Sequence, residues 1–244
     1  MKIALIGYGK MGKTIEGVIL ESKQDEIQLK VGFENIHEFT IENLQQCDVA
    51  IEFTQPESAV ENIYKCFDAG VPVVVGTTAW LHRLDEVKKQ CAEKNGALLF
   101  SPNFSIGVNI FWEASKKLAQ LMNKQPQYKV HIEESHHTEK KDIPSGTAVK
   151  TAEILLSESD SKTKWTLDST SVSESELLIV AKREPDVPGT HTVTYTSNVD
   201  EIQIKHEAFN RRGFAEGAIL AARWLVGKKG VFEISDLLND TAAL

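Results

Sequence analysis

What this sequence has little of narrows it first. Only three of its 244 residues are cysteine, Cys47, Cys66 and Cys91. They are odd in number, fall in separate predicted elements and form no CxxC pair. Neither a disulfide framework nor a zinc site is indicated, and no metal is expected. Basic charge is also short: 27 Lys and Arg face 35 Asp and Glu, a net charge of −8. Such a chain has no general field to draw nucleic acid or anionic lipid, so an anionic ligand needs a local cationic site. Long apolar runs are missing too. None approaches the length of a membrane span, and the first residues enter a strand without an apolar leader. The expectation is a soluble, unprocessed, cytoplasmic protein. What is present, 41% hydrophobic and 25% charged residues, suffices for one large domain or two smaller ones.

Residues 2–6 form a short apolar strand that runs into Gly7, Tyr8, Gly9, Lys10, Met11 and Gly12. That GxGxxG opens a helix with Met11, Ile15, Val18 and Ile19 on one face, the context a dinucleotide-binding turn requires. Gly7 allows the tight turn, Gly9 lets backbone approach a pyrophosphate, and Gly12 lets helix and strand pack closely. A second strand over residues 27–33 ends at Glu34, close to the spacing of a ribose-binding acid. Strand and helix keep alternating. Strands over 48–53, 72–75 and 97–100 are separated by helices carrying Val60, Ile63, Tyr64 and Phe67, then Leu81, Leu84, Val87 and Cys91. This alternation predicts an α/β, Rossmann-type doubly wound parallel sheet. Ligands in such sheets bind beyond the carboxyl ends of the strands, where Gly76, Thr77, Thr78 and Ser101, Pro102, Asn103, Phe104 also fall.

From residue 107 the pattern changes. An amphipathic helix carries Ile110, Phe111, Ala114, Leu118 and Leu121, and a strand then leads into residues 132–148, IEESHHTEKKDIPSGTA. This stretch is too polar for a core. His136 and His137 end the strand and point to opposite sides. Ser145 or Thr147 can cap the following helix, whose N-terminus, with Gly146 beside free N–H groups, suits an anion. Residues 157–175, rich in Ser, Thr, Asp and Glu, read as a mobile surface loop. Three strand-like runs follow, at 176–182, 191–197 and 201–207, then a helix over 213–230 with a small-residue face and a short closing segment at 232–238. One helix grouped with strands indicates a separate α+β unit. His191 and His206 have no metal-like spacing and read as structural or interface residues. Arg183, Arg211 and Arg212 read as surface charges, with carboxylate binding as the alternative.

The motifs GYGKMG, DVAIEFTQPES, VVVGTT, SPNFSIGVN, EESHHTEKKDIPSGTA, GTHTVTY and FAEGAILAARWL together resemble the 4-hydroxy-tetrahydrodipicolinate (dihydrodipicolinate) reductase family of lysine and diaminopimelate biosynthesis. They cover most of the chain in the family's order, and HHxxKxDxPSGTA is the most specific. The resemblance implies a dinucleotide-binding domain over 1–104 and an inserted α+β substrate-binding and oligomerisation domain over 105–212, built on an open mixed sheet. A C-terminal helix within 213–244 would return to the first domain, and the protein would be a homotetramer. It further implies that His136 is the acid/base residue, Lys140 the proton donor, and His137, Gly146 and Thr147 the holders of a small dicarboxylate substrate. Gly7 to Gly12, Glu34, Gly76 to Thr78 and Ser101 to Phe104 would line NADH or NADPH. Two departures bear on the cofactor. The glycine loop is GxGxxG where many members have GxxGxxG, and Asn35 stands where many carry an arginine suited to a 2′-phosphate. A carboxylate at Glu34 repels that phosphate, though Lys10 can offset it, so use of both cofactors with a tilt to NADH is expected.

Overall fold

The computed structural model describes residues 1–167 and 169–240. Its chain divides into two compact units, Met1–Ile106 with Arg212–Leu244, and Gly107–Arg211. In chain order the first unit starts with β1 (Lys2–Ile6), α1 (Lys10–Ser22), β2 (Glu26–Val31), α2 (Ile41–Leu44) and β3 (Val49–Glu52). It continues with α3 (Pro56–Asp68), β4 (Val73–Val75), α4 (Leu84–Glu93) and β5 (Ala97–Phe100). The second unit holds α5 (Ile106–Met122, entered from the first unit), β6 (Lys129–His136), α6 (Gly146–Ser157), β7 (Lys164–Thr166), β8 (Glu176–Arg183), β9 (Gly189–Thr196) and β10 (Glu201–Ala208). The chain returns to the first unit through α7 (Arg212–Leu225), β11 (Gly230–Glu233) and α8 (Ile234–Asn239).

The first unit is a six-stranded parallel sheet in the order β11-β5-β4-β3-β1-β2, so the strand order reverses between β1 and β3. Side chains of a strand alternate between faces, and both faces here are covered. Ala4 and Ile6 of β1 join Ala59, Val60, Ile63, Val73 and Val87 on one side. Ile3 and Leu5 join Ile15, Val18, Ile19, Ala218, Ala222 and Leu225 on the other. The doubly wound α/β sheet expected from the alternation is therefore the observed fold. The small residues of α7 have a clear purpose: a Cβ on Gly217 would run into the Phe104 carbonyl, so glycine there lets helix and chain touch.

Three local expectations are corrected. β2 stops at Val31, and Phe33 is fully exposed. The Asn35 side chain accepts the Gly32 N–H at 2.7 Å and donates to the Lys30 carbonyl, a local turn that ends the ladder. The closing segment is a sixth strand plus a helix: β11 pairs parallel with β5 from Gly230↔Ala97 to Glu233↔Phe100. Four residues carry too little periodicity to announce such a strand. Within residues 157–175, read as loop, Lys164–Thr166 form β7 and pair parallel with β8. Asp168 lies outside the described residues.

The second unit is a five-stranded mixed sheet, β10-β9-β6-β8-β7, with antiparallel β10·β9 and β6·β9 pairs and parallel β6·β8 and β7·β8 pairs. α5 and α6 cover one face, packing Val108, Phe111, Trp112, Ala148, Ala152 and Leu155 onto Ile132, Leu177, Ile179 and Val193. The Trp112 indole N–H donates to the Thr151 hydroxyl at 3.1 Å, tying the helices together. This is the separate α+β unit that the strand grouping suggested, inserted and built on an open mixed sheet as the resemblance implied.

Candidate functional site

In the first unit, four segments meet at the carboxyl ends of the strands because successive backbone bonds step across the sheet there. Gly7 N–H donates to Val31, Phe53 to Ile6, Gly76 to Glu52 and Ser101 to Val75. Gly7 has φ +96°, and a Cβ there would strike the Phe53 carbonyl, so only glycine fits. Gly12 is closed in the same way by the Gly7 carbonyl, whereas a Cβ on Gly9 would point into open space. Gly9 precedes α1 without a side-chain cap. The first N–H groups of a 13-residue helix are thus left for an anion beside an unobstructed backbone. This cradle fits a dinucleotide pyrophosphate.

Around the cradle the expected residues divide. Tyr8 is half-buried: its hydroxyl donates to Glu16, and Lys30 sits 4.5 Å from its ring centroid. Lys10, Glu34, Thr78 and Pro102 are exposed, and Met11 and Gly76 half-buried. Thr77, Ser101, Asn103 and Phe104 are buried. The Thr77 hydroxyl accepts the Thr54 N–H at 2.8 Å and its carbonyl the Trp80 indole N–H at 2.8 Å. Ser101 donates to the Asn103 carbonyl at 2.7 Å, and Phe104 packs edge-on against Phe53. These side chains hold the loops in place. Beneath them Glu52 is fully buried, accepting from Thr54 and Asn62. Burial pushes its carboxyl up, and the hydrogen bonds only partly offset this.

In the second unit, sheet register assembles a cluster at the end of β6. Ile132, Glu134 and His136 alternate onto the face that α5 and α6 cover. Across β9 Glu134 is paired with His191, and across β8 His136 is paired with Arg183. Glu134 is 0% exposed. Its Oε1 takes the Ser145 N–H at 3.0 Å and Arg183 at 3.3 Å; its Oε2 lies 3.3 Å from His136 Nδ1 and 3.7 Å from His191 Nε2. Burial pushes the Glu134 carboxyl up, but His136 and the Ser145 hydrogen bonds outweigh it and hold it at about 2. His191 moves oppositely: burial first, then the His136 ring 5.0 Å away, hold it down at about 3.

The loop after β6 carries the remaining candidates. The Lys140 ammonium pairs with Asp142 at 2.8 Å, and its backbone N–H donates to the His137 carbonyl. His137 is half-buried. The open question of the cap is settled for Ser145, whose hydroxyl accepts the Ala148 N–H at 3.2 Å. The first-turn N–H groups of Gly146 and Thr147 lie ahead of any intrahelical acceptor, and a Cβ on Gly146 would meet nothing.

The cluster corrects one reading. His191, read as a structural or interface residue, is buried beside the His136 ring with its Nε2 3.2 Å from the Ser145 hydroxyl, a place that suits a structural residue. Arg183, read as a surface charge, is committed to Glu134 and to the Asp142 carbonyl at 2.6 Å. Arg212, by contrast, pairs with Glu21 and Glu216 on exposed surface. Glu134 was missed altogether, although its i, i+2 spacing from His136 in a strand was a usable signal. Glu134, His136 and His191 bring ligand atoms within 4.8 Å of one another. Arg183 and the Ser145 N–H already occupy this carboxylate, however, and a guanidinium at 3.3 Å opposes a cation. The arrangement suits proton transfer better than metal binding.

The family model described as dihydrodipicolinate reductase, N-terminus, matches residues 1–104, and its C-terminus counterpart matches 107–238. The 4-hydroxy-tetrahydrodipicolinate reductase of Christiangramia forsetii is 44% identical over 240 residues, 98% of each chain. The protein of that name from Archaeoglobus fulgidus is 38% identical, covering 96% of this chain and 84% of its own. In fold, the chain is similar to a dipicolinate-bound dihydrodipicolinate reductase from Paenisporosarcina sp. TG-14, with a TM-score of 0.77 at 23% identity, covering 96% and 97% of the two chains.

Proposed function

The chain belongs to the dihydrodipicolinate reductase family, and from that premise we propose how its own residues carry the reaction. It is an oxidoreductase that reduces 4-hydroxy-tetrahydrodipicolinate in lysine and diaminopimelate biosynthesis, and it works with a nicotinamide cofactor. The cofactor supplies the hydride. The first unit holds its pyrophosphate at the uncapped start of α1, beside Gly7 and Gly9, and Glu34 meets the adenosine ribose.

The second unit binds the dicarboxylate and supplies the proton. The N–H groups of Gly146 and Thr147 take one carboxylate at the start of α6, helped by His137. His136 is the acid/base residue, and the Lys140 ammonium steadies developing negative charge and donates a proton. The observation that carries this reading is the placement of His136: buried beside the ionised Glu134 at the end of β6, with Glu134 also holding Ser145, the cap of α6. One carboxylate thereby fixes both the acid/base residue and the anion site.

The cofactor tilt is to NADH. Glu34 is exposed with no arginine after it, and Asn35 is spent on the turn at Gly32. A homotetramer is consistent with the free edge of β10, flanked by Val199 at 88% and Phe209 at 82% exposure. Three unpaired, buried cysteines suit a reducing cytosol. Among the described residues no helix is long and apolar enough to cross a membrane.

The test is oxidation of NADH and, separately, NADPH with freshly made substrate, comparing wild type with His136→Ala and Lys140→Ala. Wild type turns over with both, faster with NADH, and each variant loses a factor on the order of 10² or more, as general acid/base groups do. Tight cofactor binding without oxidation would point instead to a nicotinamide-sensing protein.

A further inference from the structure

An imidazole that transfers a proton uses one of its two nitrogens, and the surroundings of His136 select which. Nδ1 is closed off from solvent and lies 3.3 Å from Glu134 Oε2, an ion-pair distance at which the two are not aligned as a hydrogen bond. A carboxylate held ionised can only accept, so the ring atom facing it carries the proton. Every other contact of Glu134 points the same way. Arg183 donates to Oε1, and the Ser145 N–H reaches both oxygens, Oε1 at 3.0 Å and Oε2 at 3.2 Å, with Oε2 the one nearest the histidines. His191 fits as a neutral donor. Its Nε2 lies 3.2 Å from the Ser145 hydroxyl and 3.7 Å from Oε2, and its buried Nδ1 has no hydrogen-bond partner among the described residues. An unpartnered acceptor is more tolerable there than an unpartnered N–H, so Nε2 carries the hydrogen.

On the other side of His136, Nε2 lies 3.0 Å from where a Cβ on residue 189 would stand, and residue 189 is glycine. Any side chain would close that space. We propose that Glu134 is a positioning residue: its carboxylate holds His136 as the Nδ1–H tautomer, so that Nε2 is the atom that exchanges the proton, and Gly189 keeps Nε2 clear. The proposal deepens the assignment of His136 to the reaction and rests on it. It also explains why the carboxylate is buried with an arginine instead of facing the substrate. Its task is orientation of the ring, as in other carboxylate–imidazole pairs.

The isosteric substitution Glu134→Gln separates this from a structural role. With one amide oxygen and one NH2 group, Gln keeps its oxygen toward Arg183 and Ser145, where the donors are, and turns NH2 toward His136 Nδ1. Nδ1 must then accept, and the ring is forced into the Nε2–H tautomer. Histidine-ring 15N labelling with long-range 1H–15N spectra reads this directly in the whole protein, at a pH high enough for the ring to be neutral. The His136 signals are identified by their loss in His136→Gln. The expected result is Nδ1–H in wild type, Nε2–H in Glu134→Gln, and kcat lower by roughly 10² to 10⁴, the range of a wrong-tautomer substitution, with KM changed only a few-fold.

A wild-type ring already in the Nε2–H form would overturn the proposal, as would loss of kcat in Glu134→Gln without a change of tautomer. Should Arg183, left uncompensated, prevent folding, Glu134→Gln/Arg183→Met removes the orphan cation and carries the same readout. Failure of wild type to oxidise either cofactor with substrate would instead count against the reductase chemistry assigned to His136. The two failures are distinct because the tautomer is read without turnover.

Discussion

Acid should loosen the second unit through His191, and the size of the effect follows from its surroundings. The imidazole is 4% exposed, and burial, reinforced by the neighbouring His136 ring, holds it at about 3. An unfolded chain would bind a proton there below about 6.5. Between pH 6.5 and 3 the unfolded state therefore holds more protons, and stability falls as pH drops. Linkage between these two values gives a loss of about 2 kcal/mol by pH 5, and about 5 kcal/mol below pH 3. Glu134 acts in a lower window. Held at about 2 against an ordinary 4.5, its contribution is present above 4.5 and lost between 4.5 and 2, so it is nearly intact at pH 5.

The comparison is wild type against His191→Gln, which keeps an N–H donor for Ser145 but cannot titrate. Hydrogen exchange of β6 and β9 amides, corrected for intrinsic rates, is the suitable measurement because the chain has two units and one melting temperature would mix them. From pH 8 to pH 5 wild-type protection should fall about 30-fold more than that of the variant, the equivalent of about 2 kcal/mol. His206, also lowered by burial, remains in both proteins and cancels. An equal fall in the two proteins would refute the argument.

Two substitutions probe the glycines. Gly189→Ala places a Cβ 3.0 Å from His136 Nε2, so kcat should drop at least about tenfold, the scale of a misplaced catalytic group, while NADH affinity measured by calorimetry stays the same. Gly7→Ala forces a left-handed residue, φ +96°, into the Phe53 carbonyl. It should weaken NADH binding by tenfold or more and destabilise the first unit by about 1–2 kcal/mol; unchanged affinity would mean that the turn is not the cofactor cradle.

Local patterns were legible wherever the physics is local. The turn at Gly7 needs positive φ, and the start of α6 needs a cap, so Gly7-Tyr8-Gly9 and Pro144-Ser145-Gly146 signal them in a few residues. Parallel strands covered on both faces must be apolar, and β1, β4 and β5 read that way. β11 did not, because four residues of mixed character become a strand only through pairing with β5. Phe33 misled for a related reason: an apolar residue after β2 looked like more strand, while Asn35 had already turned the chain.

The sequence by itself determined the α/β class, the glycine cradle, the capped helix at Gly146 and the His136–Lys140 candidates, since each depends on residues close together in the chain. The tertiary structure alone decided what surrounds His136. Glu134 stands opposite His191 by the register of β6 with β9, and Arg183 stands beside His136 by the register of β6 with β8. Register is a property of the whole sheet, set by its buried face and its turns. A one-residue slip would send Glu134 to the other face, so the partners that ionise it and orient the imidazole exist only once the sheet has formed.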